Sequence, residues 1–196
     1  MKAKISRLNP KETVLLVIDM QNDFIEKGKK LEVRGIRDGI SKLKAFIDYC
    51  RGKGVLIIYT RHYYTKSGNP ISTLLFSNLS DRGLNRNAKG FEIHKDLGPE
   101  KRDLLIDKKR YDAFFKTGLN EILKSRRTRN IIITGTMTQV CCESTARSAM
   151  FLDYVTVFCS DLTFSGDEIV QKAVLKTFNK YFGWVFSSNK ARRLLK

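Results

Sequence analysis

The stretch NIIITGTMTQVCCESTARSAM, residues 130–150, reads as a strand that runs straight into a helix. Asn130-Ile-Ile-Ile-Thr134 is short, continuously apolar at its centre and β-branched, as expected of a strand covered on both faces. Cys141 begins a helix that continues through Glu143, with Thr145 to Met150 as its regular part. A strand covered on both faces needs helices above and below it, so this segment points to a parallel sheet built from βα units.

The same pattern recurs outward from it. Val14–Ile18, Val55–Tyr59, Leu104–Ile106, Tyr154–Phe158 and Trp184–Phe186 are further strand candidates. Between the first two, Ile36, Ile40, Leu43, Ile47 and Cys50 recur at three- and four-residue steps, which makes one apolar helix stripe closed by Gly52 and Gly54. Leu119–Leu123 and Ile169–Phe182 read as helices as well. The expected architecture is α/β: three layers, α/β/α, around a six-stranded parallel sheet, Rossmann-like, in strand order 3-2-1-4-5-6. With no linker or repeat in the chain, residues 1–196 are expected to form a single domain. Residues 63–101 break the pattern; they carry Gly68-Asn-Pro70 and Asp81-Arg-Gly83-Leu-Asn-Arg-Asn87 with little periodicity. A connection of that length is expected to form a wall or lid of a pocket.

Composition narrows the class. Apolar residues make up 42% and charged residues 29%, which excludes a low-complexity or disordered chain. No run approaches the ~20 apolar residues of a membrane helix, and MKAKISRLNPKE lacks an apolar signal core, so the expected location is cytoplasmic. There the four cysteines should be reduced; with only two histidines, they also lack metal-finger spacing. The net charge of +17 invites nucleic acid or an acidic membrane as partner. Against that, the basic residues are dispersed, and the tightest groups, residues 124–129 and Arg192-Arg193, fall at helix ends that favour cations anyway. A lysine-rich surface serving solubility is the simpler account, and a basic protein binding nucleic acid is kept as the non-enzymatic alternative.

In open parallel sheets ligands bind beyond the carboxyl ends of the strands. The first exit reads Asp19-Met-Gln21-Asn-Asp23-Phe24, the third Asp107-Lys108-Lys109-Arg110-Tyr111, and the fourth Gly135-Thr-Met-Thr-Gln-Val-Cys141. An acid, a lysine and a cysteine therefore stand at three exits of one sheet edge. A helix start and a nearby cation both favour thiolate, so Cys141 has the first kind of help and Lys108 offers the second, while Asp19 can take the proton. Each also has a bland reading: Cys141 as a small buried hydrophobe, Asp19 as a loop residue, Lys108 as a solvated side chain. Spacing alone leaves both open.

The chain resembles the isochorismatase-like cysteine hydrolases over nearly its whole length. VLLVIDMQNDF looks like the family's opening strand and catalytic aspartate, which falls on Asp19. IDKKRYDAFFKTGL resembles its lysine segment in the register that selects Lys108 over Lys109. GTMTQVCCESTARSA resembles its nucleophile turn, placing the nucleophile on Cys141 and a packing residue on Cys142; YFGWVFSSNKARRLL resembles the last strand and helix. The resemblance also implies a non-proline cis peptide joining Thr136 and Met137, and an oxyanion hole from the Met137 and Cys141 amides. Met137 departs from the small residue usual there.

The resemblance narrows further within the family. The zinc-binding nicotinamidase branch uses an aspartate-x-histidine pair after the second strand, where this chain has Arg61-His62-Tyr63-Tyr64, so neither metal nor cofactor is expected. The cysteine argues against vinyl-ether cleavage by isochorismatases proper. What is left is the metal-free amidase branch, similar to N-carbamoylsarcosine amidase, cleaving the C–N bond of a small amide or ureido compound through an acyl-enzyme; a nicotinamidase-type deamidase and a catalytically silent member kept for assembly are the rivals. Arg61 is a candidate carboxylate anchor or a surface salt bridge. Gln21, Phe24 and Tyr111 are expected to line the pocket, and His62 to be a strand-end residue making one hydrogen bond. The expected partners are a small-molecule substrate and further copies of the chain, as a dimer or tetramer.

Overall fold

The computed structural model describes residues 3–64, 71, 75 and 83–196. Six strands, β1 (Thr13–Ile18), β2 (Leu56–His62), β3 (Leu104–Lys108), β4 (Asn130–Thr136), β5 (Val155–Phe164) and β6 (Trp184–Phe186), form one sheet in the order β3-β2-β1-β4-β5-β6. Every neighbouring pair is parallel, which is the architecture and order expected from the sequence. Among the described residues the helices include a single turn α1 (Asn22–Ile25), α2 (Ile40–Gly52), α3 (Leu119–Ser125), α4 (Glu143–Phe151), α5 (Glu168–Tyr181) and α6 (Ser188–Leu194).

β1 lies at the centre, and all six of its residues are buried. Alternate side chains leave a strand on opposite faces. Leu15 and Val17 therefore enter one core with Ile57, Ile132 and Val157, roofed by Leu43, Phe46 and Ile47 of α2 and Ala191 of α6. Val14, Leu16 and Ile18 enter the other with Ile58, Ile131 and Ile133, beneath Leu119 and Leu123 of α3, Ala146 and Ala149 of α4 and Phe178 of α5. This two-sided burial is why the strands read as continuous apolar runs.

Several elements run past their apolar patterns. β2 continues beyond Tyr59 to His62 and β3 beyond Ile106 to Lys108, because the ladder persists with Arg61 opposite Asp107 and His62 opposite Lys108. β5 continues through Ser160 and Asp161 to Phe164, with an irregularity in its register against β4 between Ile133 and Gly135. Backbone pairing, which is blind to side-chain polarity, carries these strands on. The helix expected from Cys141 instead begins as a wide π turn over Thr138–Cys142, with α4 starting at Glu143.

Gly135 fits this edge to β1. Its φ is +111°, and a Cβ there would stand 2.1 Å from the Ile18 carbonyl oxygen. Only glycine lets β4 come this close, which brings the turn bearing Cys141 against the end of β1.

The irregular segment lies partly outside the described residues, including Gly68-Asn-Pro70 and Asp81-Arg82. From Gly83 onward it is tied to the exit of β1. The Leu84 amide donates to the Asp23 carboxylate (2.6 Å), the Asn22 amide to the Glu92 carbonyl (2.9 Å), and the His94 amide to the Met20 carbonyl (2.9 Å).

Candidate active site

Asp19 follows β1 directly and adopts a left-handed backbone, φ +50°, with its amide donating to the Thr60 carbonyl at 3.1 Å. One carboxylate oxygen accepts the Thr60 hydroxyl at 2.6 Å, and the other accepts the Lys108 ammonium at 2.7 Å. Both side chains of this ion pair are fully buried. Strand geometry explains the meeting. Thr60 and His62 share a face of β2 by alternation, and Lys108 stands opposite His62 in the ladder, so all three point to the same side. The Lys108 ammonium also donates to the Arg110 carbonyl at 3.1 Å. Burial works against its charge, but the Asp19 carboxylate, joined by Cys141 when its sulfur is ionised, outweighs burial and holds its pKa above the usual lysine value. Lys108 is therefore an ammonium throughout the physiological range.

Cys141 completes the cluster, its thiol close enough to Asp19 and Lys108 for both to act on its ionisation. The Met137 carbonyl accepts from the amides of Val140 (3.0 Å) and Cys142 (3.2 Å), which shapes the turn, and the Thr136–Met137 peptide is cis. Burial pushes the Cys141 thiol far up; Lys108 pulls it down, without reversing the shift. The helix start and the cation favour thiolate, as expected, but burial opposes them and the net shift is upward, which keeps the proton on sulfur and leaves Asp19 the role of proton acceptor. Such a group has to lose its proton as it attacks, and Asp19 is placed to receive it. Cys142 points elsewhere: its sulfur lies 4.0 Å from the Thr134 carbonyl, within the core.

Residues 13–190 match the model of the isochorismatase domain. The chain belongs to this family. Among its isochorismatase-family relatives, the ureidoacrylate amidohydrolase RutB of Enterobacter sp. (strain 638) is 35% identical over 90% of this chain and 86% of that protein. The corresponding enzyme of Agrobacterium fabrum is 31% identical over 93% and 89%. A solved cysteine hydrolase from Pseudomonas syringae pv. phaseolicola 1448A superposes with a TM-score of 0.91 at 28% identity, covering 99% of this chain and 98% of that one. The N-carbamoylsarcosine amidase of Thermoplasma acidophilum, at 21% identity and a TM-score of 0.78, shares the fold.

The other residues singled out in this isochorismatase chain divide. Arg61 leaves β2 on the face opposite Thr60 and His62. It is bound by Asp107 (2.8 Å) and Glu92 (3.0 Å) and lies 4.3 Å above the Phe91 ring. The structure thus corrects its candidacy as a substrate anchor: its fork is already occupied by two carboxylates on the far side. Gln21 is also a correction, since its amide donates to the carbonyls of His62 (3.0 Å) and Phe91 (2.9 Å) and accepts the His62 amide (2.8 Å). It braces β2 rather than lining a pocket. Phe24 packs in the α2 core with Met20, whereas Cys141 packs in the core on the other face of the sheet. Tyr111 does come near, its ring 5.8 Å from that of His62.

Two residues of the cluster escaped the motif reading, Thr60 and His62. The signal that finds them is period two, because in β2 they alternate with Arg61 and share the face of Lys108. His62 is buried and neither ring nitrogen has a hydrogen-bond partner, since the nearby Arg110 carbonyl lies outside bonding geometry. That corrects the expectation of a histidine satisfied by one hydrogen bond. Burial, then the Lys108 charge, pulls its pKa down to about 3, so the ring is neutral. The cluster does not suit the zinc of the nicotinamidase branch. Among the described residues no three His, Cys, Asp or Glu side chains are grouped to hold a metal, and the Lys108 ammonium beside His62 opposes a second cation.

Proposed function

We propose that this chain is an amidohydrolase that cleaves the C–N bond of a small ureido or amide compound through an acyl-enzyme on Cys141. The observation that carries it is the buried Asp19–Lys108 ion pair set against the Cys141 thiol. The ureidoacrylate amidohydrolases among its relatives support the substrate class.

In the first step the Cys141 proton passes to Asp19 as the sulfur bonds to the substrate carbonyl carbon. The carbonyl oxygen becomes an oxyanion, for which the amides of Met137 and Cys141 are the proposed donors. Lys108, held protonated, offsets the negative charge that shifts between Asp19 and the sulfur. Asp19 then returns its proton to the departing nitrogen as the C–N bond breaks, leaving a thioester. Water enters, gives its proton to Asp19, and adds to the thioester carbonyl; the C–S bond breaks and Cys141 recovers its proton. Net, one water is consumed, and one amine or ammonia and one acid are released.

An ammonia-release screen over ureido acids, small carboxamides and nicotinamide tests this. Turnover of a ureido or aliphatic amide compound, abolished in Cys141→Ala, is the expected result. Preference for nicotinamide would favour the deamidase alternative, and ammonia from none of them would contradict the proposal. Cytoplasmic action belongs to the same proposal and is supported by four free, buried cysteines, which suit a reducing compartment. So does assembly as a homo-oligomer, supported by the exposed apolar side chains Phe151, Leu152 and Tyr181 at the ends of α4 and α5. Sedimentation of the wild type against Phe151→Glu checks the assembly.

A further inference from the structure

His62 is a side chain on this face that the mechanism does not use and that, unlike Thr60, has no hydrogen-bond partner. A buried polar group without a partner is destabilising and is rare in folded proteins, so one that sits beside a reactive cluster calls for a ligand. It is 2% exposed, with both ring nitrogens unpartnered, at the end of β2 and directly opposite Lys108 in the ladder. Its ring is fixed by edge-on contact with Tyr64, centroids 4.8 Å apart, and lies beside Tyr111. The charged and carbonyl groups next to it already have partners. The Asp19 oxygens accept from Thr60 and Lys108, the Arg110 carbonyl accepts from Lys108, and Lys108 can only donate. A neutral imidazole, by contrast, offers one N–H and one lone pair.

A ureido group differs from a carboxamide in one respect that matters here: its carbonyl carbon carries a second nitrogen, with an N–H, besides the one that departs. In a buried site that N–H needs an acceptor. We propose that His62 is a specificity-determining residue that accepts a hydrogen bond from the substrate nitrogen retained on the acylated carbonyl, and so selects ureido compounds over carboxamides. This rests on the proposed hydrolysis at Cys141 and deepens it.

The test uses a pair that differs only by NH against CH2, N-carbamoyl-β-alanine and glutaramic acid, with the full-length protein. Wild type should favour the ureido member in kcat/KM by about ten- to a hundred-fold, the range of one buried hydrogen bond. His62→Leu should bring the two compounds within about two-fold of each other by lowering kcat/KM for the ureido member alone. His62→Asn, which keeps an acceptor and a donor, should restore a clear preference and covers the case in which the leucine variant folds poorly. Alkylation of Cys141 by iodoacetamide reads the cluster without the substrate and should change little in either variant. A wild type without preference, no turnover of either compound, a preference surviving in His62→Leu, or equal loss in both variants would overturn the assignment. Failure of the hydrolase reading itself would show differently, as turnover that persists in Cys141→Ala.

Discussion

Replacing Lys108 by methionine keeps most of the side-chain volume and removes the charge. Asp19 would then stand fully buried with only the neutral Thr60 hydroxyl and Cys141 thiol to meet its carboxylate. Breaking a buried pair from one side leaves an uncompensated charge, a loss of about 3–5 kcal/mol. In a chain of this size that lowers Tm by roughly 6–20 °C. The chemistry suffers separately. Lys108 is the group that lowers the Cys141 pKa against burial, so the thiol becomes harder still to ionise. One further pKa unit slows alkylation near pH 8 by about ten-fold. The assays are urea unfolding, and iodoacetamide labelling of Cys141 followed by peptide mass, on Lys108→Met, Lys109→Met and the double variant Asp19→Asn/Lys108→Met. Lys109 is exposed, so its variant should stay within about 0.5 kcal/mol and label normally. The double variant should be less destabilised than the sum of its single changes, because neither charge is stranded. A loss below about 1 kcal/mol in Lys108→Met, well under the range for a broken buried pair, or a larger loss in Lys109→Met, would refute the assignment of Lys108 as the buried cation.

Gly135→Ala should destabilise by about 2 kcal/mol or more, since it combines a left-handed φ with a Cβ driven into the Ile18 backbone; chemical denaturation measures it, and a neutral result would mean β4 does not approach β1 as closely as described. His62 is neutral when folded and has its pKa depressed to about 3, so its contribution is present above about pH 6.5 and lost as pH falls toward 3. Across that window stability should fall about 1.4 kcal/mol per pH unit less steeply in His62→Leu than in wild type; identical slopes would place the ring in water. Cys50 behaves oppositely, because burial raises its pKa from 9.0 to about 12 and the unfolded thiol ionises first as pH rises. Its contribution is present below about pH 9 and lost toward 12, so Cys50→Ala should flatten the alkaline limb by about 1.4 kcal/mol per unit, and an unchanged limb would show the thiol already ionised in the fold.

The sheet was legible in the sequence because each strand is covered on both faces, and a short apolar β-branched run suits little else than a buried strand. Strand ends were harder. Arg61, His62, Asp107 and Lys108 belong to the ladder, yet their polarity hides it, and the apolar pattern stops two or three residues early. That boundary governs the site. In β3 alternation separates the buried Lys108 from the exposed Lys109. Carried across to β2, it sends Arg61 away from the cluster and His62 toward it, but only once both residues are known to be in the strand. Gln21 shows a different limit. Its bonds run to the backbones of His62 and Phe91, residues 41 and 70 positions away, and no local pattern announces such a brace. The state of Cys141 escaped for a third reason. Proximity of a helix start and a lysine can be inferred along the chain, whereas the depth of burial that outweighs them is a property of the packed fold.

The central claim, that Cys141 carries the acyl group during C–N bond cleavage, is tested most directly by acid-quenching the enzyme during turnover of the best ureido or amide substrate and mapping the adduct by peptide mass. The expected result is a single hydroxylamine-labile acyl adduct on Cys141, absent from Cys141→Ala, with Cys142 unmodified. An adduct on Cys142, or undiminished turnover in Cys141→Ala, would contradict it.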